Sequence, residues 1–209
     1  MKKGWVVWLG AVLAALAVLV LFVLPAEFGI DPTGVGARTG LVEMADPPNE
    51  ELERGQARMA REDVLTLGTA PAQDGATDEW SAELGPFESV EFKYTVPEGA
   101  KIAFDWQASG PVNYDMHAHP FDGGEDLTES YGIGEASRVE GLYTAPFTGI
   151  HGWYWQNRNL DNVTITLRAS GGFTHSTIYS SGAPVDRPIA GVEDNVEGQA
   201  AGHEMQDAE

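Results

Sequence analysis

Two histidines and an aspartate alternate along the short segment DMHAH at residues 115–119. Alternate side chains of a β-strand share a face, so Asp115, His117 and His119 are predicted to line one side of a strand. Two imidazoles and a carboxylate form a ligand set that zinc, copper or nickel accepts. The pattern therefore predicts a divalent-metal site. The alternative is a pair of surface histidines on an acidic domain, and no other cofactor is indicated.

A second segment, from Gly149 to Asn157, combines His151 with the alternating pair Trp153 and Trp155. Strand alternation places these three side chains on one face, which favours a hydrogen-bonded core histidine over a further metal ligand. The two indoles either fill the core of a β domain or form a platform for a carbohydrate or a peptide. The chain has no G-x-S-x-G elbow, P-loop or H-E-x-x-H motif, so we predict no catalytic residues and no enzyme.

The charge balance is strongly acidic, with 32 Asp and Glu against 12 Lys and Arg and a net charge of −20. A polyanion repels phosphate backbones and anionic lipid headgroups, which excludes nucleic acid as a partner. The absence of cysteine excludes disulfides, thiolate metal sites and cysteine catalysis. The acidic excess either keeps the protein soluble or attracts cations or a basic partner.

An uncharged run of 20 residues extends from Trp5 to Leu24. As a helix it is about 30 Å long, which matches the hydrocarbon core of a bilayer. Two lysines precede the run and acidic residues follow it, so residues 1–4 are predicted to stay in the cytoplasm and the rest to be exported. The run is longer than the core of a signal peptide and has no small-x-small cleavage site, which predicts an uncleaved anchor.

Residues 25–78 are predicted to connect this anchor to a domain. Pro25 is expected to end the helix, and the glycines and prolines of PAEFGIDPTGVGARTGL are expected to break regular structure. This segment is either a collar at the membrane surface or a docking site for a membrane partner. Residues 46–62 are predicted to form a short charged helix, and residues 69–78 a flexible linker.

Short apolar runs separated by turn residues occupy residues 79–180. The predicted strands are 79–84, 88–96, 100–108, 111–118, 137–145, 150–157, 162–169 and 173–180, with a turn at Ser109-Gly110-Pro111. This many short strands, without a convincing helix between them, predict an all-β domain with an antiparallel sandwich or jelly-roll architecture. Residues 181–209 are acidic and are predicted to form a disordered tail.

The segment from Gly149 to Asn157, GIHGWYWQN, resembles the G-x-Y-x-F-x-F-x-N strand of GOLD-type (p24-like) β-sandwich domains. His151 departs from that pattern, which has an aromatic residue there. The anchor is N-terminal here and C-terminal in the eukaryotic p24 cargo proteins, so a cargo-receptor function is not implied. With PAEFGIDPTGVG, NYDMH and HGWYWQNR, the chain also resembles a group of bacterial transmembrane anchor proteins. GOLD-type domains are generally protein-interaction modules.

These features together predict a membrane-anchored, non-catalytic interaction module on the periplasmic side of a bacterial inner membrane. Its predicted partners are the membrane, through Trp5–Leu24, and a membrane or periplasmic protein. One alternative is a periplasmic metal-binding accessory of a transport or efflux system, with Asp115, His117 and His119 as ligands. The other alternative is a glycan-binding domain that uses the aromatic-rich strands.

Overall fold

The computed structural model describes residues 4–45, 47–189 and 192, and the chain divides into two compact units, Met1–Asn49 and Glu50–Glu209. The first unit is helical. Helix α1 (Gly4–Val18) continues through a π-helical turn (Leu19–Val23) into helix α2 (Leu24–Phe28). Among the described residues, this 25-residue Gly4–Phe28 helix is the one that is long and apolar enough to cross a membrane.

Pro25 lies inside this helix rather than ending it. In the π-helical turn the Leu24 N–H donates to the carbonyl of Leu19, five residues back. Such a wide turn relaxes the hydrogen-bond ladder just where proline has no N–H to contribute. The helix ends three residues after Pro25, at Phe28, and its C-cap Gly29 adopts a left-handed conformation with φ of 65°. Two short helices follow, α3 (Val35–Thr39) and α4 (Leu41–Ala45), where the sequence predicted no regular structure.

The second unit begins with helix α5 (Glu50–Met59), inside the predicted charged helix, and continues as a mostly antiparallel β structure. Its strands are β1 (Leu65–Leu67), β2 (Ala76–Leu84), β3 (Ser89–Val96), β4 (Lys101–Pro120), β5 (Glu129–Thr144), β6 (Gly149–Gln156), β7 (Val163–Gly171), β8 (His175–Tyr179) and β9 (Val185–Pro188). The strand order is β1-β5-β4-β6-β3-β8-β9, and β7 pairs with both β2 and β4.

Strand β4 connects two parts of the sheet, one with β2 and β7 and the other with β6, β3, β8 and β9. Its first half pairs with β7 and its second half with β6, while β5 runs beside both halves. The turn predicted at residues 109–111 is therefore absent, and the predicted strands 100–108 and 111–118 are one strand. The pairing of β4 with β5 shifts register between Gln107 and Val112. An irregularity of this kind accommodates Pro111, which cannot donate to a regular ladder.

Several strand boundaries differ from the prediction. Strand β1 and the start of β2 precede residue 79, and β5 begins at Glu129 rather than at residue 137. Strand β9 occupies Val185–Pro188, within the predicted tail. The remainder of that tail, residues 190, 191 and 193–209, lies outside the described residues. Residues 1–3 of the predicted cytoplasmic terminus also lie outside them.

Large aromatic side chains fill the space between the two parts of the sheet. Trp155 of β6 lies 5.8 Å from Trp106 of β4 and 5.9 Å from Trp80 of β2, measured between ring centroids. Phe104 and Trp153 approach to 4.9 Å. Each buried aromatic residue removes on the order of 200 Å² from water, which makes this cluster the main source of the unit's stability.

Candidate functional site

The residues predicted as metal ligands lie on a polar face of the sheet. Strand β6 separates β4 from β3, and its Gly152 is the register partner of both His117 and Lys93. Because Gly152 has no side chain, Lys93 reaches across β6, and its Nζ donates to the carbonyl oxygen of His117 at 3.1 Å. The same Nζ lies 3.0 Å from Oε1 of Glu91. The face therefore combines the predicted β4 residues with a lysine and a glutamate from β3.

Lys93 is enclosed, with only 1% of the residue exposed. Burial lowers the pKa of Lys93, and the Glu91 carboxylate offsets this effect only in part. For Glu91, burial acts in the opposite direction and raises the pKa. The hydrogen bond from His117 and the charge of Lys93 outweigh burial, so the pKa of Glu91 is about 2. Glu91 is thus the charge partner that makes a buried lysine tolerable.

The three predicted ligands share a face, but their polar atoms have other partners. Nε2 of His117 donates to Oε1 of Glu91 at 2.9 Å, and Oδ1 of Asp115 accepts a hydrogen bond from the hydroxyl of Ser130. Burial, with Lys93 and His117 nearby, lowers the pKa of His119 to about 4, so this ring is neutral at pH 7. In residues 4–45, 47–189 and 192, no three His, Asp or Glu side chains are grouped so that they could hold a metal ion.

His151 is a core residue, as the sequence predicted. It is buried, and its Nδ1 lies 2.7 Å from the hydroxyl of Tyr143. Burial lowers the pKa of His151 to about 3, which keeps the ring neutral. A hydrogen-bonded chain leads from His151 to the protein surface through Tyr143, Tyr131, Glu129 and Arg58. Its last step attaches helix α5 to strand β5.

The aromatic run on β6 is not a platform. Trp153 and Trp155 are both buried, and they pack against aromatic residues of β2 and β4. A ligand on the protein surface cannot reach either ring, so the glycan-binding hypothesis is wrong for these two residues. Their role is to fill the core, which was the alternative in the sequence analysis.

Asn157, which ends the same segment, organises one end of the sheet. It is fully buried, and its Nδ2 donates to the carbonyl oxygens of Leu84, Gly85 and Asp161 at 2.9 to 3.1 Å. Its Oδ1 accepts from the backbone N–H of Asn159 at 2.8 Å. These bonds join the β2–β3 turn to the β6–β7 loop.

This joined pair of connections carries exposed apolar side chains, and we name it the loop end, meaning residues 85–88 and 157–162. Phe87 is 63% exposed and Leu160 is 80% exposed. Within the described residues, Phe87 is also the one non-glycine residue with positive φ, at 63°. An aromatic residue in the left-handed region is a conformational outlier, and such strain is concentrated at functional positions. No local pattern in the sequence predicts this site, although Asn157 of the G-x-Y-x-F-x-F-x-N motif lies within it.

The chain matches no protein-family model and none of the curated proteins. Among solved structures it is similar to a sugar phosphate isomerase from a cupin superfamily of Silicibacter pomeroyi, at 12% sequence identity and a TM-score of 0.27. The match covers 59% of this chain and 74% of that one. No conclusion about this protein's activity follows from a similarity of that size. The described residues define a mostly antiparallel β protein with an N-terminal apolar helix.

Proposed function

We propose that this chain is a membrane-anchored, non-catalytic interaction module. In this proposal the sheet folds as a GOLD-type antiparallel sandwich on the periplasmic side of a bacterial inner membrane, and Gly4–Phe28 is its anchor. The observation that carries the proposal is the loop end, where Asn157 bonds to the backbone of Gly85 and Glu88 on either side of the strained and exposed Phe87. A contact residue on a fixed backbone loses less conformational entropy when a partner binds.

The chemistry around Phe87 indicates the kind of partner. Glu83, Glu88 and Asp161 lie at the same end of the sheet, with Arg158 as the nearby basic residue. Acidic side chains disfavour an anionic lipid surface or a nucleic acid, whereas exposed Phe87 and Leu160 favour an apolar pocket. We therefore propose a protein partner whose pocket takes up these two side chains. Full burial of side chains of this size contributes about 1.5 to 3 kcal/mol each.

Site-specific photocrosslinking in cells tests this proposal. A photoreactive phenylalanine analogue at Leu160 is expected to give one discrete adduct, and Phe87→Ser is expected to abolish it because the partner loses its second anchor. Leu67→Ser is the matched control, since Leu67 is an exposed apolar residue on β1 and lies outside the loop end. An adduct that persists in Phe87→Ser, or that Leu67→Ser removes equally, contradicts the proposal.

The alternative function is a metal-binding accessory with Asp115, His117 and His119. The neutral state of His119 supports it, because a metal needs an unprotonated ring nitrogen. The nearby Lys93 and the hydrogen bonds of His117 and Asp115 oppose it. For full-length protein in detergent we expect zinc, copper and nickel titrations to give the same heats in the wild type and in His117→Ala/His119→Ala. Tight binding that this double substitution removes would restore the metal hypothesis.

A further inference from the structure

The segment after the apolar helix is folded back onto the end of that helix. A Cβ atom at Gly36 would lie 2.4 Å from Cβ of Pro25, so α3 packs against α2 with no space for a side chain. A Cβ atom at Gly29 would lie 3.9 Å from Cβ of Ala45, which brings the end of α4 to the same place. We call residues 25–45 the juxtamembrane knot.

Asp31 closes the knot. Its Oδ2 accepts from the backbone N–H of Ala37 at 2.8 Å, and its Oδ1 accepts from the backbone N–H of Thr33 at 3.3 Å. These bonds lower the pKa of Asp31, with the N–H of Ala37 as the largest cause. The hydroxyl of Thr33 accepts in turn from the N–H of Val35 at 3.3 Å. These hydrogen bonds give the knot a defined conformation.

Three large apolar side chains project from the knot. Phe28, Ile30 and Met44 are between 55% and 70% exposed. Phe28 belongs to the Gly4–Phe28 helix, which has no buried residue in its apolar window, and Ile30 follows two residues later. Met44 lies in α4, the end of which meets Gly29. If this helix crosses a bilayer, about 20 residues fill the hydrocarbon core, and α2 with the knot lies at its boundary with the headgroups.

We propose that the juxtamembrane knot inserts Phe28, Ile30 and Met44 into the boundary between the acyl chains and the headgroups of the bilayer. The inference rests on the proposed membrane anchoring and adds a second lipid contact to it. Transfer of apolar side chains into this boundary is favourable, as it is for the apolar face of an interfacial amphipathic helix. The occupant is lipid, because Phe28 and Ile30 directly continue the apolar helix and Met44 lies in the helix that packs against its end.

The net charge of the knot determines whether neutral or anionic headgroups favour its insertion. Its ionisable side chains are Glu27, Asp31, Glu43 and Arg38, three acids against one base, which gives a net charge of −2. Anionic headgroups repel such a segment. Insertion is therefore driven by apolar area against this repulsion, and it is expected to be no stronger in vesicles that contain anionic lipid than in neutral phosphatidylcholine.

Spin-label accessibility in the full-length chain tests the proposal, and the absence of cysteine makes single labels straightforward. Phe28→Cys and Met44→Cys are compared with Glu27→Cys and Glu43→Cys, their acidic neighbours in the same helices, after reconstitution into phosphatidylcholine vesicles. We expect at least a threefold higher ratio of oxygen to nickel-chelate collision rates at positions 28 and 44 than at 27 and 43. Addition of anionic lipid is expected not to raise this ratio, because the knot is acidic.

Three results would overturn the proposal. Equally low ratios of oxygen to nickel-chelate collision rates at positions 27, 28, 43 and 44 would mean that the knot lies in water. Protection of position 44 from both collision agents would mean that a protein or a second copy covers it. A label at Leu16→Cys distinguishes this inference from the proposed anchor. Lipid exposure at position 16 with water exposure at position 44 contradicts only the insertion of the knot. Water exposure at position 16 contradicts the anchor as well.

Discussion

Replacement of Glu91 by glutamine is expected to lower the free energy of unfolding of the sheet unit by about 3 kcal/mol at pH 7. The substitution keeps the shape of the side chain but removes the negative charge beside the enclosed Lys93 ammonium. Loss of one partner of a buried ion pair leaves the other charge uncompensated and costs about 3 to 5 kcal/mol. Denaturant unfolding of the full-length chain in detergent, followed by tryptophan fluorescence, measures the difference.

The same substitution has a defined pH dependence. The pKa of Glu91 is about 2 in the folded chain against an ordinary value of 4.5, so its charge stabilises the fold above pH 4.5 and ceases to do so as the pH falls toward 2. Glutamine imitates the protonated acid. The difference between wild type and Glu91→Gln is therefore expected to shrink between pH 4.5 and pH 2, and a constant difference would contradict the assignment.

A double substitution is the control for Glu91→Gln. If Lys93 is the destabilised group, Glu91→Gln/Lys93→Met recovers most of the lost stability, because methionine fills a similar volume without a charge. A double variant that is no more stable than Glu91→Gln would show that the loss arises from His117, which also bonds to Glu91.

Replacement of Gly55 by alanine is expected to destabilise the sheet unit by about 2 to 3 kcal/mol, although alanine is the better helix former. A Cβ atom at Gly55 would lie 1.9 Å from the backbone carbonyl oxygen of Ser130, so helix α5 must move away from β5. That movement breaks the hydrogen bonds of Arg58 with Glu129, at 2.5 and 2.6 Å, and of Arg54 with the Thr128 carbonyl, at 2.8 Å.

Limited trypsin digestion gives a second measurement for the Gly55 variant. A displaced α5 exposes Arg54 and Arg58, so cleavage there is expected to become at least tenfold faster than in the wild type. Gln56→Ala is the matched control, since Gln56 is the exposed neighbour in the same helix and its replacement adds no clash. If Gly55→Ala is as stable as Gln56→Ala, the close contact between α5 and β5 does not contribute to stability.

The sequence predicted the features that depend on local pattern. The short apolar runs predicted β3 and β7 to within two residues, and the uncharged run predicted the apolar helix. The single strand β4 was missed because Gly110 and Pro111 have the composition of a turn. The pairings on either side, which end at Ala108 and resume at Val112, keep the chain extended there. The predicted start of β5 is too late because Gly132 and Gly134 have the composition of a turn.

The candidate sites were harder to predict because they depend on contacts between distant strands. Val90, Phe92 and Tyr94 alternate along β3, and this pattern alone would leave Lys93 facing solvent. Its burial follows from Gly152, which is 59 residues away along the chain and leaves the space that the lysine side chain crosses. The hydrogen bonds of Asn157 likewise reach back to Leu84 and Gly85, which no local pattern indicates.

Strand β4 has a consequence for how the sheet unit opens. Because its 20 residues pair with β7 in one half and with β6 in the other, neither half can lose its ladder without disturbing a strand of the other. Proteins commonly open in separate cooperative units, each with its own amide-exchange rate. Here the two parts of the sheet share one backbone, so we expect their innermost amides to exchange as a single cooperative unit.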